Sequence, residues 1–311
     1  MAVELSIIIV NWNGGELLRR CLESIERGPP SVPYEVVVVD NASTDGNIEW
    51  LRAAEWRNLR LIENTENLGF GKANNRAFAE TTAPLLFLLN SDAEVRPGAI
   101  DTLIATLKSD ERIGACGPRL VNPDGSLQPS VWRNPMNPLE MIAVSLRLYK
   151  VLPRRLRGEL LLGFHWDHSH RRRANMLSGA AILATRKMIE DVGGFDERFH
   201  MYGEDTEWCL RIVRAGWWLM FEPAAEVLHY GGQSSAKRWS SLEKLRVEYT
   251  AFFRYQKFCL SRRLAVANLC TGYALTRMQH IFRRLQRRSL DETELVSKLY
   301  FDELKRNLWA K

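Results

Sequence analysis

Cysteine is scarce in this chain of 311 residues, and its five copies are widely spaced. No Cys-x-x-Cys pair is present, which excludes the common cysteine zinc sites, and the odd number argues against a disulfide framework. Free cysteines are typical of the reducing cytosol. The sequence also lacks a run of about 18 apolar residues, which a membrane-spanning helix needs. No basic region followed by a cleavage site follows Met1. We therefore expect a cytoplasmic protein.

The glycine fingerprint of dinucleotide-binding proteins is missing as well. Gly69-Phe70-Gly71 follows the third predicted strand instead of the first, and Asn74 stands where a third glycine is needed. The turn after the first strand, Asn13-Gly14-Gly15, does not have the required spacing. The fingerprint needs its glycines so that the backbone can approach the pyrophosphate. The fingerprint of hydride transfer with a nicotinamide cofactor is therefore absent.

Acidic residues are outnumbered in the last quarter of the chain. Residues 236–311 hold 17 Lys and Arg against 7 Asp and Glu, whereas residues 1–235 are net acidic. A basic tail favours an anionic partner, such as lipid headgroups, a phosphorylated substrate or nucleic acid, although a solvated surface without a partner fits equally well. Arginine pairs alternate with aromatic residues on the predicted helices, which suits the headgroup layer of a membrane. Packing on the first domain or in a homodimer is the alternative.

The first half of the chain alternates strands and helices. Apolar, β-branched runs predict buried strands at residues 5–10, 34–40, 59–63 and 84–90. Helical segments are predicted between the first two of these strands and between the last two, which indicates parallel pairing and a doubly wound α/β sheet. In such a sheet ligands bind at the carboxyl ends of the strands. Four polar clusters follow the strands, at residues 11–13, 40–45, 64–71 and 90–92. We call this predicted edge of the sheet the carboxyl rim.

Several titratable side chains near these turns are candidates for chemistry. Asp40 can accept hydrogen bonds from a nucleobase or ribose, or can cap the next helix. Asp92 can bind Mg²⁺ or Mn²⁺, or can be an ordinary turn carboxylate. Glu204 and Asp205 begin a helix, where acids favour the helix dipole, but their apolar, aromatic surroundings suit a general base. His229, at a strand end, is either structural or a metal ligand.

Taken together, these segments resemble glycosyltransferase family 2, whose members are inverting nucleotide-sugar transferases, and most of all its rhamnosyltransferase-like branch. The resemblance covers roughly residues 4–235, in order and at the family's spacing. The matching segments include SIIIVNWNGGELLRRCLESI, VVVVDNASTDGN, ENTENLGFGKANNRAF, LLFLLNSDAEVRPGAI, GPRLVNPDGSLQPS, SGAAILATRKMIEDVGGFDERFHMYGEDTEWCLRIVRAGW and VLHYGGQS. The fold that this implies is a GT-A type, Rossmann-like, doubly wound mixed sheet with a C-terminal helical extension.

The resemblance also implies roles for individual residues. Asp205 in the Glu204-Asp205 step matches the catalytic base, and Asp92 with His229 matches the site of a Mg²⁺ or Mn²⁺ ion. Asn90 stands where the family often has the first Asp of its metal motif, which weakens the expected metal affinity. The predicted contacts with the nucleotide-sugar are made by Val10, Trp12, Asp40, Asn74, Ser91 and Asp92.

The implied reaction moves rhamnose or another hexose from a UDP- or dTDP-linked donor to a saccharide or lipid-linked saccharide in cell-surface polysaccharide assembly. Nucleotidyl transfer is a weaker alternative because the turn after the first strand has no Lys or Arg. A non-catalytic membrane-docking scaffold is a third interpretation, which leaves the carboxyl rim unexplained. No nucleic-acid partner is expected. The predicted domains are residues 1–235, with an irregular acceptor-side insert at 132–175, and a basic helical region at 236–311. We expect the enzyme in the cytoplasm or peripherally bound at the inner face of the cell membrane.

Overall fold

A computed structural model describes residues 2–53, 56, 58–131, 137–153, 156, 166–231 and 240–309. The strands are β1 (Leu5–Asn11), β2 (Tyr34–Asp40), β3 (Leu59–Glu63), β4 (Leu85–Asn90), β5 (Ala93–Val95), β6 (Ile113–Val121), β7 (Leu127–Gln128), β8 (Arg172–Ala174), β9 (Ala181–Thr185) and β10 (Trp218–His229). The helices are α1 (Glu16–Arg27), α2 (Asn47–Ala53), α3 (Phe70–Glu80), α4 (Ala99–Lys108), α5 (Pro138–Ser145), α6 (Arg186–Val192), α7 (Glu204–Arg214), α8 (Ser241–Cys259), α9 (Arg262–Leu285) and α10 (Asp291–Trp309). A short 3-10 helix occupies Leu148–Val151.

The described residues belong to two compact units. The first unit contains the described residues up to 131 and residues 166–231, and the second contains residues 137–153, 156 and 240–309. The sequence pattern assigns the insert at 132–175 to the first domain, whereas the structure groups its residues 137–153 with the C-terminal helices. The predicted boundary at 235 lies outside the described residues.

The first unit is built on one mixed sheet with the strand order β3-β2-β1-β4-β9-β6-β10-β5, to which β7 and β8 add at β6 and β10. Strands β1, β2, β3 and β4 are parallel. Strand β9 runs antiparallel to both of its neighbours, β4 and β6, and β10 is parallel to β6. The predicted mixed α/β sheet with a helical C-terminal part is therefore confirmed.

Both faces of this sheet are covered by apolar side chains. Consecutive residues of its central strands are buried, whichever face they point to. One face packs against α1, α2 and α4, and the other packs against α3, α6 and α7. In α1 the buried residues Leu18, Cys21, Leu22 and Ile25 recur at helical spacing, which is typical of an amphipathic helix. Full burial of a large apolar side chain stabilises the fold by about 1.5–3 kcal/mol. These two layers therefore fix the sheet that carries the rim.

The second unit is helical and has a small core of its own, centred on Phe253, Leu269, Val296, Tyr300 and Leu304. Helix α8 begins with a capping box, in which the Ser240 side chain accepts from the Glu243 backbone and the Glu243 side chain accepts from the Ser240 backbone. Among the residues that the structure describes, no helix combines the length and the apolar character that a bilayer span requires.

Candidate active site

Asp40 lies buried at the carboxyl end of β2 and is held by three hydrogen bonds. Its Oδ1 accepts from Asn11 Nδ2 at 2.8 Å and from Ser43 Oγ at 2.5 Å, and its Oδ2 accepts from the Ser43 backbone at 2.8 Å. Parallel pairing places Asn11 directly opposite Asp40. A carboxylate has about four acceptor positions, so a ligand can take the remaining one. Asp40 therefore both orders the turn after β2 and presents an acceptor at the rim.

The rim also holds an acid and a histidine side by side. Asp92 directly precedes β5, and His229 ends β10, which pairs antiparallel with β5. Asp92 Oδ1 lies 3.2 Å from His229 Nε2, and both side chains are mostly buried. The backbone supports this arrangement because the N–H of Tyr230 donates to the carbonyl of Asp92 at 2.9 Å. The strand pairing thus brings two residues 137 positions apart into contact.

Asp205 lies in the first turn of α7, which faces the start of β9. Its Oδ2 accepts from the backbone N–H of Gly179 at 3.1 Å, and its Oδ1 accepts from the backbone N–H of Thr206 at 2.7 Å. Burial raises the pKa of Asp205, although these hydrogen bonds oppose the shift. A carboxylate with a raised pKa is a stronger proton acceptor than one in water, which suits a general base.

Glu204, the neighbour of Asp205, is buried in a different environment. Burial and the nearby Asp205 carboxylate raise the pKa of Glu204. Its Oε2 is buried and has no hydrogen-bond partner among the described residues. Desolvation and repulsion between like charges both favour the neutral acid. Glu204 is therefore the proton-bearing member of the pair, and Asp205 is the member held by backbone donors.

The third acid of this turn, Glu207, has a structural role. Its two carboxylate oxygens accept from Arg211 Nε at 2.6 Å and from Arg211 Nη2 at 2.8 Å. The same guanidinium donates to the carbonyls of Val192 and Gly194. Glu207 therefore fixes the helix α7 to the loop after α6, and it is not a second candidate for the base.

The other residues predicted to contact the nucleotide-sugar differ in how deeply they are buried. Val10 and Trp12 are half-buried on either side of the last residue of β1, and Ser91 is buried beside the turn that follows β1. This turn needs a glycine at position 14, because a Cβ there would lie 2.4 Å from Asn11 Oδ1. Asn74 is buried in α3, where its Nδ2 donates to the carbonyl of Phe70 at 2.9 Å. Its Oδ1 has no partner within the described residues, which leaves an acceptor in the interior.

The donor set at Asp92 and His229 fits a divalent cation. Mg²⁺ and Mn²⁺ prefer carboxylate, phosphate and water oxygens, and imidazole nitrogen also binds Mn²⁺. No group of three or more His, Cys, Asp or Glu side chains suited to a metal occurs among the described residues. The other ligands would then come from water and from the phosphates of a bound substrate, as is usual for Mg²⁺. A site with these two protein ligands is thus suited to a cation whose remaining ligands are supplied by water and a diphosphate.

Comparison with known proteins identifies the family of the chain. The sequence profile of Glycosyl transferase family 2 matches residues 6–174, which is more than half of the chain. The chain belongs to this family. A family 2 relative from Mycobacterium tuberculosis, an N-acetylglucosaminyl-diphospho-decaprenol L-rhamnosyltransferase, is 30% identical over 259 residues, which cover 75% of this chain and 78% of the relative.

Solved glycosyltransferase structures share the fold of this family 2 enzyme. The crystal structure of GalNAc-T7 with UDP, GalNAc and Mn²⁺ has a TM-score of 0.58 at 18% identity, covering 99% of this chain and 56% of that chain. The structure of S. aureus TarS 1-349 in complex with UDP-GlcNAc has a TM-score of 0.55 at 13% identity, covering 99% and 93%. The protein is a GT-A type glycosyltransferase, and the predicted family, fold and enzyme class are confirmed.

Several residues of the candidate site have contacts that the sequence alone does not indicate. Asn11 and Ser43 orient Asp40, and Gly179 donates to Asp205. Gln128 contacts the ring of His229, with Oε1 2.6 Å from Nδ1. Gln128 and Gly179 lie within the sequence segments that match the family, so the resemblance already includes these two positions. It does not indicate their roles, because each depends on a contact between distant parts of the chain.

Proposed function

We propose that the chain is an inverting hexosyltransferase that moves rhamnose or another hexose from a UDP- or dTDP-linked donor to a saccharide or lipid-linked saccharide acceptor in cell-surface polysaccharide assembly. The observation that carries the proposal is the partly buried Asp205 carboxylate, oriented by Gly179 and Thr206 beside the rim. The family match and the name of the mycobacterial relative support the reaction class and the acceptor class.

In the proposed reaction, Asp205 acts as the general base. Its Oδ2 accepts one hydrogen bond among the described residues, so an acceptor hydroxyl can donate to a second lone pair. As that hydroxyl oxygen attacks the anomeric carbon, its proton passes to Asp205. The bond from the anomeric carbon to the diphosphate oxygen breaks on the opposite face, and the electron pair leaves with the diphosphate. One displacement inverts the anomeric configuration.

The donor is held at the rim by the residues that follow the strands. Asp40 and Trp12 recognise the nucleoside, assisted by Val10, Asn74 and Ser91. Asp92 and His229 would hold a Mg²⁺ or Mn²⁺ ion, and such an ion, when bound, would stabilise the negative charge that develops on the leaving diphosphate, an effect worth several kcal/mol. The crystal structure of GalNAc-T7 with UDP, GalNAc and Mn²⁺ supports a divalent cation in this fold.

The second unit carries the proposed membrane contact. In α9, Met278, Ile281, Phe282 and Leu285 are exposed, with 47% to 78% of their surface accessible. Their spacing of three, one and three residues puts them on one helical face, which we call the α9 apolar face. The sequence from Ser261 to Leu290 contains seven arginines and no Asp or Glu.

This combination of an apolar stripe and unbalanced positive charge fits an anionic membrane. An interfacial helix buries its apolar face among the acyl chains while its basic residues meet the headgroups, and each basic residue near an anionic leaflet contributes about 1 kcal/mol. A second copy of this chain would be expected to match the α9 apolar face without needing the arginines. We therefore propose peripheral binding at the inner face of the membrane, with a homodimer as the alternative outcome of the test below.

A donor panel tests the proposed reaction. The purified protein is incubated with UDP- and dTDP-linked hexoses, including dTDP-rhamnose, and Mg²⁺ or Mn²⁺, and the slow release of free sugar is followed by NMR. We expect one donor to be hydrolysed to a sugar of inverted configuration, and the D205N variant to lose this release. Formation of a nucleotide-sugar from a sugar 1-phosphate and a nucleoside triphosphate would instead support nucleotidyl transfer.

A further inference from the structure

The imidazole of His229 is held at both of its nitrogens. Nδ1 lies 2.6 Å from Gln128 Oε1, and Nε2 lies 3.2 Å from Asn90 Nδ2 as well as 3.2 Å from Asp92 Oδ1. Which nitrogen carries the proton decides whether Nε2 can bind a cation, because only an unprotonated nitrogen is a metal ligand. The surrounding hydrogen bonds answer that question.

A chain of hydrogen bonds begins in the turn before β7 and has one consistent direction. The carboxylate of Asp124 can only accept, and Ser126 Oγ donates to it at 2.6 Å. Ser126 Oγ in turn accepts from Asn122 Nδ2 at 2.9 Å. The Ser126 hydrogen bonds lower the pKa of Asp124, so this end stays ionised at neutral pH. The amide of Asn122 is thereby oriented with its oxygen away from Ser126.

The orientation continues through Gln128. Its Nε2 donates to Asn122 Oδ1 at 2.9 Å and to the carbonyl of His229 at 3.5 Å, so its Oε1 faces the ring of His229. An amide oxygen only accepts, and the proton between Gln128 and His229 must therefore be on Nδ1. The opposite side of the ring agrees, because Asn90 Nδ2 is a donor and needs an acceptor at Nε2.

We infer that Gln128, oriented by the turn at Asn122–Ser126, is a positioning residue that fixes the Nδ1–H tautomer of His229 and so keeps the Nε2 lone pair directed at the cation beside Asp92. The inference rests on the cation site of the proposed function. In metal sites generally, the partner of the second ring nitrogen fixes the tautomer and raises the basicity of the ligand, and its loss weakens metal binding about 10–100-fold.

The geometry also leaves a position for a cation between Asp92 and His229. With the proton on Nδ1, His229 Nε2 and Asp92 Oδ1 both present lone pairs across 3.2 Å. Asn90 donates to one of them, but a carboxylate facing an imidazole lone pair is electrostatically unfavourable. A positive charge between the two atoms removes this repulsion, whether it is a proton on Nε2 or a metal ion that both atoms contact. The hydrogen-bond chain leaves both lone pairs facing the position where a cation would bind.

The test compares Q128L with a matched control, Y230F. Tyr230 neighbours His229 in sequence, and its hydroxyl bonds to Glu94 and Arg20 rather than to the imidazole. Mn²⁺ binding is measured by electron paramagnetic resonance in the presence of UDP, and UDP binding without metal is measured by calorimetry. We expect Q128L to weaken Mn²⁺ binding about 10–100-fold, with metal-free UDP affinity unchanged, and we expect Y230F to bind both ligands as the unsubstituted protein does.

Nitrogen-15 NMR of the imidazoles gives a readout independent of metal loading. The spectrum should show His229 in the Nδ1–H form in the unsubstituted protein and a mixture of tautomers in Q128L. An Nε2–H tautomer in the unsubstituted protein, or unchanged Mn²⁺ affinity in Q128L, would overturn the inference. Equal losses of metal-free UDP affinity would overturn a role specific to His229. Failure of sugar transfer with intact Mn²⁺ binding would instead reject the proposed function and leave this inference standing.

Discussion

Asn90 and Asp205 are tied to adjacent residues of one short loop. The backbone N–H of Asn90 donates to the carbonyl of Ala180 at 2.9 Å, and the N–H of Gly179 donates to Asp205 Oδ2 at 3.1 Å. The end of β4, which leads to Asp92, and the first turn of α7 are thus positioned by the same stretch of backbone. The link to Asn90 joins two main-chain groups, whereas the link to α7 needs an acceptor oxygen on the side chain of residue 205. Substitution of Asp92 should therefore leave both links in place, and D205N should also keep them because its amide oxygen can accept from Gly179.

We expect D205N to fold normally and to bind the donor, but to lose about 10²–10⁴ in kcat, the usual contribution of a general base. The amide cannot take the proton of the acceptor hydroxyl, although it can still accept from Gly179. Steady-state kinetics and donor titration measure the two effects separately. E207Q is the matched control from the same turn, and its folded fraction should keep near-normal kcat. Near-normal turnover in D205N together with loss of turnover in E204Q would show that Glu204, and not Asp205, is the base.

The pKa of Glu204 predicts how stability depends on pH. A buried carboxyl with a raised pKa binds its proton more tightly in the folded state, so its contribution is complete below its unfolded pKa of about 4.3. It is lost as the pH rises toward the raised folded pKa. The side chain of E204Q stays neutral at every pH. The free energy of unfolding of E204Q minus that of the unsubstituted protein should therefore rise by at least about 1 kcal/mol between pH 5 and pH 8. Urea unfolding at both pH values measures this, and a difference independent of pH would contradict it.

Sugar transfer should require a divalent cation. We expect D92A to lose tight binding of the nucleoside diphosphate in Mg²⁺ or Mn²⁺, because it removes the charged ligand, and H229A to weaken binding less. Calorimetric titration with UDP and dTDP, with and without metal, checks both variants. S126A, at the turn surface and outside the ligand pair, should keep a larger share of the affinity than either. Full activity in excess EDTA would contradict the cation requirement.

Membrane binding should depend on the α9 apolar face. The double variant I281S/F282S should bind vesicles containing anionic phosphatidylglycerol at least about tenfold more weakly, because burial of each large apolar side chain is worth about 1.5–3 kcal/mol. The control is L242S, which removes a comparably exposed leucine from the start of α8. Co-sedimentation at low salt and at 0.5 M salt measures binding, which should fall at high salt as the arginines are screened. Absence of binding at low salt, together with a dimer that I281S/F282S abolishes, would assign the face to a subunit contact.

Gly272 predicts an unusual response to alanine. In most helices Gly to Ala stabilises by about 0.5–1 kcal/mol, but a Cβ at Gly272 would overlap the ring of Tyr300 in α10. We expect G272A to lower the free energy of unfolding by about 1–3 kcal/mol, the usual effect of overpacking. Thermal unfolding of G272A and of G272A/Y300L checks the cause, since the smaller side chain should recover part of the loss. A more stable G272A would contradict the close packing.

Fold and family could be predicted from the sequence because their signals are local. The runs at 5–10, 34–40 and 84–90 are apolar on both faces of a strand, and polar clusters follow them directly, so strand type and rim follow from short stretches. The antiparallel insertion of β9 between β4 and β6 has no such local signal. It is decided by pairing between residues 67 to 100 positions apart in the sequence.

The roles of the site residues stay predictions. The structure adds contacts between distant parts of the chain, which the sequence alone does not reveal. The contact between Asp92 and His229 depends on the pairing of β5 with β10, and the orientation of His229 depends on a glutamine 101 residues away. Asp40 illustrates the opposite case. Both of its possible roles were apparent from one turn, and the structure gives it three hydrogen bonds while leaving room for a ligand.

The pairing of β4 with β9 also has a consequence for folding fidelity. Antiparallel register sets Leu89 opposite Ala181, and the residues just beyond this pair are Asn90 and the Gly179-Ala180 loop. A slip of one residue would exchange the faces of the strand and would break the links to Asn90 and to Asp205 together. A misregistered molecule would therefore lose the orientation of the proposed base, Asp205, and the support of the proposed cation ligands in the same event. The alignment of β9 with β4 therefore determines whether the candidate site forms. We do not expect folded molecules with only part of the site to accumulate.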